Sequence, residues 1–212
     1  MHVTEPSVDE YIDLNASEED AILQELDRET HLKVALPNMI SGHVQGLYLT
    51  SLTRMLRPMR ILEIGTFTGY SGICLAKGLP EGGKITCLEI NDELEEIIDK
   101  YFTKAGLRDK LDLRFGNAME IIPTLEDTYD MIFIDADKRN YIHYYDLVFD
   151  KVRKGGYIIA DNVLWKGKVA DPTKNDKDTV AIREYNEKVK QDPRVENFIL
   201  PLRDGLLIAE KK

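Results

Sequence analysis

A glycine-rich turn is the first feature of this sequence that could bind a small molecule. The apolar run Arg60–Ile64 leads directly into Gly65, Gly69 and Gly72. Glycines in such a turn let a ligand approach the backbone and expose the N–H groups at the start of a following helix. The spacing is Gly-x-x-x-Gly-x-x-Gly, whereas a dinucleotide site would have Gly-x-Gly-x-x-Gly. A nicotinamide-dependent dehydrogenase is therefore disfavoured.

Two glutamates indicate the charge of the ligand that this turn could bind. Glu63 stands just before the turn, where a carboxylate would repel a pyrophosphate and attract a cation or an amino group. Glu89 ends the next apolar run, at a place where an acid can accept hydrogen bonds from ribose hydroxyls. Together they predict a nucleoside that carries positive charge and no phosphates, a description that S-adenosylmethionine fits. A generic turn between a strand and a helix is the alternative.

Three oxygen-bearing side chains follow two later apolar runs. Asp135 comes directly after Tyr129–Ile134, and Asp161 and Asn162 come directly after Tyr157–Ala160. If the two runs are neighbouring parallel strands, these side chains lie together and offer hard oxygen ligands with coordination positions left open. We therefore predict a site for a divalent cation, Mg²⁺ in the first place, with Ca²⁺ or Mn²⁺ as alternatives. The competing interpretation is that they are ordinary loop residues.

A lysine close to these ligands is a candidate general base. Lys138 stands three residues after Asp135 and should face the same pocket. Beside a divalent cation it would lose its proton more readily, which a base requires. A solvated surface lysine is the alternative interpretation.

Residues that could contact a substrate lie in two places, after the apolar run Tyr157–Ala160 and just before the helical pattern at 41–57. Trp165 opens a polar segment, 166–177, in which Gly and Pro recur. Long loops at the carboxyl ends of strands often belong to binding sites. We predict that Trp165 forms an aromatic wall for a flat substrate, with a core position as the alternative. Met39 is compatible with either place.

Short apolar runs alternate with helical patterns along most of the chain. Strands are predicted at Arg60–Ile64, Lys84–Leu88, Leu111–Phe115, Tyr129–Ile134, Tyr157–Ala160, Val195–Leu200 and Leu206–Ala209. Helices are predicted at 18–36, with Ser17 as N-cap, and at 41–57, 70–78, 92–105, 118–122 and 141–152. This alternation predicts an α/β fold with a mostly parallel seven-stranded sheet and helices on both faces. The short connection before the last strand predicts a C-terminal antiparallel hairpin.

Composition and charge narrow the possible partners. The chain has 212 residues and a formal net charge of −10, with ten acids and one base among the first thirty residues. This balance is unlike the basic footprint of a nucleic-acid-binding protein. No apolar run is long enough to span a membrane and no signal peptide is visible, so we expect a cytoplasmic protein. The pattern predicts one domain, 1–212, with a helical N-terminal extension, 1–57.

Three blocks of this sequence resemble the cation-dependent class I O-methyltransferases, the group of caffeoyl-CoA O-methyltransferase and catechol O-methyltransferase. They are LEIGTFTGYS at 62–71, IDADKRNY at 134–141 and DNVLW at 161–165, and the resemblance extends from Leu36 to Gly205. It implies the Rossmann-like methyltransferase fold, S-adenosylmethionine as methyl donor, a small phenolic substrate and a homodimer.

The resemblance also implies a role for each matching residue. It implies cofactor contacts by Ser41, Glu63, Gly65, Thr66, Ser71, Glu89, Ala118, Asp135 and Asp137. It implies metal ligation by Asp135, Asp161 and Asn162, and catalysis by Lys138 with Asp135. Together with the positions of Met39 and Trp165, it leads us to predict substrate contacts by Met39, Lys138, Trp165 and Lys166.

Two departures from the plant members of this group bear on the substrate. Lys166 stands where those members have an Asn that contacts the substrate, and the N-terminal segment is acidic, without the basic residue near the CoA ester. An acidic segment near the pocket would repel phosphate-bearing esters. We therefore expect a metal-dependent transfer to one hydroxyl of a free catechol-type phenol. The alternatives are a caffeoyl-CoA-type ester, a metal-independent methyltransferase and a silent S-adenosylmethionine-binding module.

Overall fold

One mixed sheet forms the centre of the molecule. In a computed structural model, which describes residues 6–212, the strands follow the order β3-β2-β1-β4-β5-β7-β6. Their bounds are β1 Arg60–Ile64, β2 Lys84–Glu89, β3 Leu111–Phe115, β4 Tyr129–Ile134, β5 Val152–Ala160, β6 Val195–Leu200 and β7 Leu206–Lys211. Strands β1 to β5 pair in parallel, and β7 pairs antiparallel with both β5 and β6. The predicted parallel sheet and its C-terminal antiparallel hairpin are confirmed.

Helices cover both faces of this sheet. Their bounds are α1 Pro6–Asn15, α2 Ala21–Lys33, α3 His43–Leu56, α4 Tyr70–Gly78, α5 Glu95–Lys104, α6 Ala118–Thr124, α7 Tyr141–Phe149 and α8 Lys177–Gln191. None of the helices within residues 6–212 combines the length and the apolar character that crossing a bilayer would need.

Side chains of the central strands alternate between two cores. Ile61, Met131 and Ile159 pack with residues of α2 to α5 on one face. On the other face, Leu62 and Ile132 pack with residues of α6 to α8. Since successive strand residues point to opposite faces, a strand that is covered on both sides must be apolar at nearly every position. This requirement explains the continuous apolar runs of the sequence.

The strand register brings three loops to one edge of the sheet. Ile64 pairs with Ile134 between β1 and β4, and Ile134 pairs with Ala160 between β4 and β5. The ladder continues one residue further, because the Asp135 N–H donates to the Ile64 carbonyl and the Asp161 N–H donates to the Ile134 carbonyl, each at 2.9 Å. The chain segments that follow β1, β4 and β5 therefore leave the sheet side by side.

Several predicted boundaries were wrong. The helix predicted over 18–36 spans only Ala21–Lys33, and its N-cap is Asp20, not Ser17, because the Asp20 side chain accepts a hydrogen bond from the Ile22 N–H. The strand predicted from Tyr157 begins earlier, at Val152, where Gly155 with φ 70° obscures the apolar pattern.

Two helices were not predicted at all. Helix α8 buries Ile182, Tyr185 and Val189 along one stripe, but its other positions are mostly charged or polar. Helix α1 is also rich in acidic residues. In α8 the polar majority hid the short apolar stripe, which is the signal that identifies an amphipathic helix.

The acids of the N-terminal segment pair with lysines of the body. Asp20 lies 2.7 Å from the Lys77 ammonium of α4, and Glu25 and Glu29 each lie 2.5 Å from a lysine of α5, Lys104 and Lys100 respectively. Glu5, also counted among the acids, lies outside the described residues. Three of the acids of this segment are therefore neutralised against α4 and α5.

Glu29 is the best-partnered of these acids, and its pairing predicts a pH-dependent stability. Hydrogen bonds from Lys100, Tyr101 and Lys33 lower the pKa of Glu29 from 4.5 to about 2. The stabilisation is therefore present above pH 4.5 and is lost as the pH falls through this interval. We expect Glu29→Gln to lower the free energy of unfolding at pH 7 by about 1 kcal/mol, since the lysine partners are partly exposed.

Urea denaturation at pH 7 and pH 3 measures this difference. The effect of Glu29→Gln should shrink at pH 3, where the carboxylate is largely protonated in the unfolded wild type but still largely ionised in the folded one. Glu184→Gln, at an exposed position of α8, serves as the matched control and should have little effect at either pH. A Glu29→Gln effect of equal size at both values would contradict the assignment to the ion pair.

Candidate active site

The glycine-rich turn lies against the segment that follows β4. A Cβ atom at Gly65, where φ is 90°, would come within 2.0 Å of the Asp135 carbonyl oxygen. No side chain fits there, so Gly65 allows the loops after β1 and β4 to touch. The predicted cofactor turn and the first predicted metal ligand are therefore direct neighbours.

Glu63 is a buried carboxylate beneath this turn. It is fully buried, and it accepts hydrogen bonds from the Ser71 hydroxyl at 2.6 Å and from the Cys87 thiol at 3.2 Å. Burial is the main cause that raises the pKa of Glu63 to about 7, and the charge of Asp135 adds to the effect. A cation bound nearby would favour the ionised carboxylate, as the predicted amino-group contact requires. Cys87 and Cys74 are free and buried.

Glu89 is held by backbone N–H groups at the end of β2. One carboxylate oxygen accepts from Phe67 at 2.6 Å, and the other accepts from Ile90 at 3.0 Å and from Asn91 at 2.9 Å. A carboxylate has about four lone-pair sites, so about one acceptor site is left for a ribose hydroxyl. The geometry is compatible with the predicted sugar contact and also shows that Glu89 orders the glycine-rich turn.

The three predicted metal ligands lie at the adjoining ends of β4 and β5. Asp161 is 2% exposed, and burial together with the charge of Asp135 raises its pKa above the usual range. Residues 6–212 contain no group of three or more His, Cys, Asp or Glu side chains that could hold a metal. The set is instead two carboxylates and the Asn162 amide, and oxygen donors of this kind suit Mg²⁺ or Ca²⁺. A cation would also relieve the repulsion between the two carboxylates.

Lys138 points into this site and not into solvent. Its ammonium donates to Asp135 Oδ1 at 2.9 Å and to the Tyr141 hydroxyl at 2.7 Å, and its side chain is only 10% exposed. The Tyr141 hydroxyl lies 3.0 Å from the Asp161 carbonyl oxygen, to which it can donate. Burial raises the pKa of Tyr141 well above its ordinary value, so the phenol keeps its proton. The alternative of a solvated surface lysine was wrong.

Of the other predicted cofactor residues, Thr66 belongs to the turn itself, whereas Ser41, Ala118 and Asp137 lie on other segments. Ser41 and Thr66 are buried, and Ala118 begins α6 behind its N-cap Asn117. Asp137 is exposed. Its carboxylate accepts hydrogen bonds from the Asn140 amide and the Tyr144 hydroxyl, which follow it closely in the chain. The structure brings Glu63, Gly65 and Asp135 together, whereas the roles of these outer residues stay predictions.

The loop that carries Trp165 and Lys166 has an unusual backbone. Trp165, Lys166 and Gly167 all have positive φ, at 47°, 58° and 75°. Trp165 is half-buried, so it is not a core residue, whereas Lys166 and Met39 are exposed. The predicted wall and substrate contacts therefore remain available to a ligand.

Two residues outside the predicted set hold this loop. The Asp204 carboxylate accepts a hydrogen bond from the Lys166 N–H, and the Arg183 guanidinium donates to the carbonyl groups of Lys168, Val169 and Asp171. Sequence reasoning missed Arg183 because helix α8 was not predicted. It also missed Tyr141 and Gln45, which contact Lys138 and Asp161 respectively.

Comparisons with known proteins agree with this arrangement. Residues 13–212 match the sequence profile of the family described as O-methyltransferase. The chain is 35% identical over 196 residues to a probable caffeoyl-CoA O-methyltransferase 2 of Dictyostelium discoideum, covering 90% of this chain and 85% of that protein. It is 36% identical over 201 residues to the caffeoyl-CoA O-methyltransferase of Petroselinum crispum, covering 87% and 81%.

Solved structures of similar proteins support the predicted fold and the predicted methyl donor. An O-methyltransferase from Bacillus cereus in complex with S-adenosylhomocysteine has a TM-score of 0.86 and 32% identity, with 97% of each chain covered. An O-methyltransferase from Streptomyces achromogenes, involved in tomaymycin synthesis and in complex with S-adenosylmethionine, has a TM-score of 0.88 and 30% identity, covering 97% and 96%. The predicted Rossmann-like methyltransferase fold is confirmed.

The buried Glu63 predicts a second pH-dependent stability, opposite in sign to that of Glu29. Its folded-state pKa of about 7 lies above the ordinary 4.5, so its contribution is present below pH 4.5 and is lost as the pH rises through 7. Glu63→Gln removes this ionisation. Relative to wild type, the variant should therefore gain roughly 2 kcal/mol of unfolding free energy between pH 5 and pH 8.

Urea denaturation of the cofactor-free protein at these two values measures the change. Glu196→Gln, at an exposed position of β6, is the control and should show no such gain. Parallel pH profiles for wild type and Glu63→Gln would show that Glu63 is already ionised at pH 5.

Proposed function

The chain belongs to the O-methyltransferase family and uses S-adenosylmethionine as methyl donor, and from this we propose that it methylates one of two adjacent phenolic hydroxyls on a caffeoyl-CoA-type ester in a cation-dependent reaction. One observation carries the proposal. The segments that carry Asp135 and Lys138, after β4, and Asp161 and Asn162, after β5, leave the sheet side by side, directly beside the glycine-rich turn at Gly65.

The ester is a better candidate than the free catechol expected from the sequence alone. The relatives from Dictyostelium discoideum and Petroselinum crispum described above are named as a probable caffeoyl-CoA O-methyltransferase and a caffeoyl-CoA O-methyltransferase. The acidic N-terminal segment was the reason for disfavouring esters, but Asp20, Glu25 and Glu29 are paired with lysines. The negative charge of these three acids is therefore largely neutralised, which weakens the repulsion of a phosphate-bearing substrate.

The donor supplies a methyl group activated by a sulfonium, and the chain's own residues orient it. Glu63 offers a buried negative charge under the turn, and Glu89 offers its remaining acceptor site to the ribose. In the transfer, the bond from the phenolic oxygen to the methyl carbon forms as the bond from that carbon to sulfur breaks. Alignment of the two reactants can lower the barrier by about 7–11 kcal/mol.

The proposed cation would be held by Asp135, Asp161 and Asn162. When bound, such an ion lowers the pKa of a hydroxyl on it and orients two adjacent hydroxyls, which accounts for a preference for vicinal diols. We assign the role of general base to Lys138. Its Nζ lies 2.9 Å from Asp135 Oδ1, and as a neutral amine it would accept the proton of the attacking hydroxyl.

A substrate panel tests the proposal directly. The protein is incubated with S-adenosylmethionine, Mg²⁺ and caffeoyl-CoA, free caffeic acid, catechol or the monohydroxylated coumaroyl-CoA, and the products are identified by mass spectrometry. We expect methylation of caffeoyl-CoA and none of coumaroyl-CoA. Turnover of catechol with none of caffeoyl-CoA would restore the second candidate, a free catechol. Failure with every phenol would favour a metal-independent enzyme for another substrate or a silent binding module.

Removal of divalent cations is expected to stop the reaction. Excess EDTA should reduce turnover of the accepted phenol to background, and added Mg²⁺ should restore it. Calorimetric titration with S-adenosylhomocysteine, carried out in EDTA, controls for damage to the cofactor site and should give an unchanged dissociation constant. Full turnover in EDTA would disprove the role of the cation.

Replacement of Lys138 is expected to slow the chemical step selectively. Lys138→Met should lower kcat by about 10²- to 10⁴-fold, the usual contribution of a general base, without changing the affinity for S-adenosylhomocysteine. Lys154→Met, at an exposed position in β5 remote from the site, is the matched control. A kcat within a factor of two of wild type would remove Lys138 as the base.

Light scattering would test the homodimer that the resemblance implies.

A further inference from the structure

A glutamine of the N-terminal extension contacts a buried carboxylate of the predicted cation site, Asp161. The Gln45 side chain, on α3, is 1% exposed, and its Nε2 lies 2.5 Å from Asp161 Oδ2. The two residues are 116 positions apart in the chain. Among the described residues, it is this contact that links the extension directly to a predicted metal ligand.

We propose that Gln45 is a positioning residue for the cation site, holding the Asp161 carboxylate in a fixed orientation while leaving its negative charge intact. The proposal rests on the cation dependence proposed above. It assigns to helix α3 a part in the affinity of the site for a divalent ion.

The hydrogen bonds of Asp161 show why its orientation depends on this contact. Its Oδ1 accepts from the Asn162 N–H at 2.6 Å, and its Oδ2 accepts from Gln45. Because Asp161 is 2% exposed, little water can reach it to replace a lost donor. A buried carboxylate without its donor would turn towards another positive or polar group, and Lys138 is close enough to act electrostatically on it.

The chemical nature of the donor matters as much as its position. An amide donates a hydrogen bond but carries no charge, so the full negative charge of Asp161 stays available to a cation. An arginine or a lysine in the same place would form an ion pair and would compete with the metal ion. Outer hydrogen-bond partners of this kind typically change metal affinity by about 10- to 100-fold when they are removed.

The packing of helix α3 makes Gln45 a rigid support. The next residue, Gly46, lies so close to α4 that a Cβ atom there would come within 2.9 Å of the Cys74 sulfur. The Thr50 hydroxyl also donates to the Cys74 carbonyl at 2.9 Å. Helix α3 is thereby fixed against α4, the helix that follows the glycine-rich turn.

The test separates a metal-site role from a simple structural tie between α3 and β5. Gln45→Met keeps the length of the side chain but removes the amide. Thr53→Val, at a buried position of the same helix whose hydroxyl bonds only within the helix, is the matched control. The dissociation constant for Mn²⁺ is measured by electron paramagnetic resonance without cofactor or substrate, and that for S-adenosylhomocysteine is measured by calorimetry.

We expect Gln45→Met to weaken Mn²⁺ binding by about 10-fold or more, with S-adenosylhomocysteine affinity within about twofold of wild type and Thr53→Val unchanged in both. Wild-type Mn²⁺ affinity in a Gln45→Met protein of reduced thermal stability would overturn the proposal and leave a structural tie. If Gln45→Met does not fold, Gln45→Asn takes its place, because the shorter amide cannot reach Oδ2.

A failure of the proposed function gives a different result. In that case the wild-type protein itself binds no Mn²⁺ and methylates its phenol in EDTA, and the role of Gln45 falls with the cation. When only the role of Gln45 is wrong, the wild type still binds Mn²⁺ and requires it for turnover.

Discussion

The parallel register of β1, β4 and β5 is the constraint on which the rest of the site depends. It places Gly65, Asp135 and Asp161 in adjoining positions just beyond paired residues of three strands. Two carboxylates are thereby brought together where little water can reach the inner one, and burial first, then the charge of Asp135, raises the pKa of Asp161. Like charges held in this way need a compensating positive charge, which Lys138 supplies in part.

The N-terminal extension contributes to the site as well as to the exterior. The excess of acidic residues in the extension predicted that it repels anionic substrates. Three of these acids, Asp20, Glu25 and Glu29, are paired with lysines of α4 and α5. The net charge of −10 is therefore not a measure of the field at the active site. The extension acts on the site through Gln45, by a single short hydrogen bond.

The sequence predicted the site residues that lie at strand ends and failed for those placed by tertiary packing. Asp135, Asp161 and Lys138 could be predicted together because a parallel sheet brings the ends of its strands to one edge. Gln45 could not, since nothing in the local pattern of α3 shows which buried group its amide will meet. Arg183 was missed because the charged positions of α8 hid the helix that carries it.

The donors around the buried charges share one property that bears on reactivity. Asp161 is contacted by the Gln45 amide and a backbone N–H, and Glu89 by three backbone N–H groups. Glu63 is contacted by a hydroxyl and a thiol. All of these donors are neutral, so they fix the carboxylates in place without cancelling their charge. Within residues 6–212, the cation paired with a carboxylate of this site is Lys138, which contacts Asp135, so the site retains an excess of negative charge. A site of this kind favours ligands that bring positive charge, as a sulfonium and a divalent ion both do.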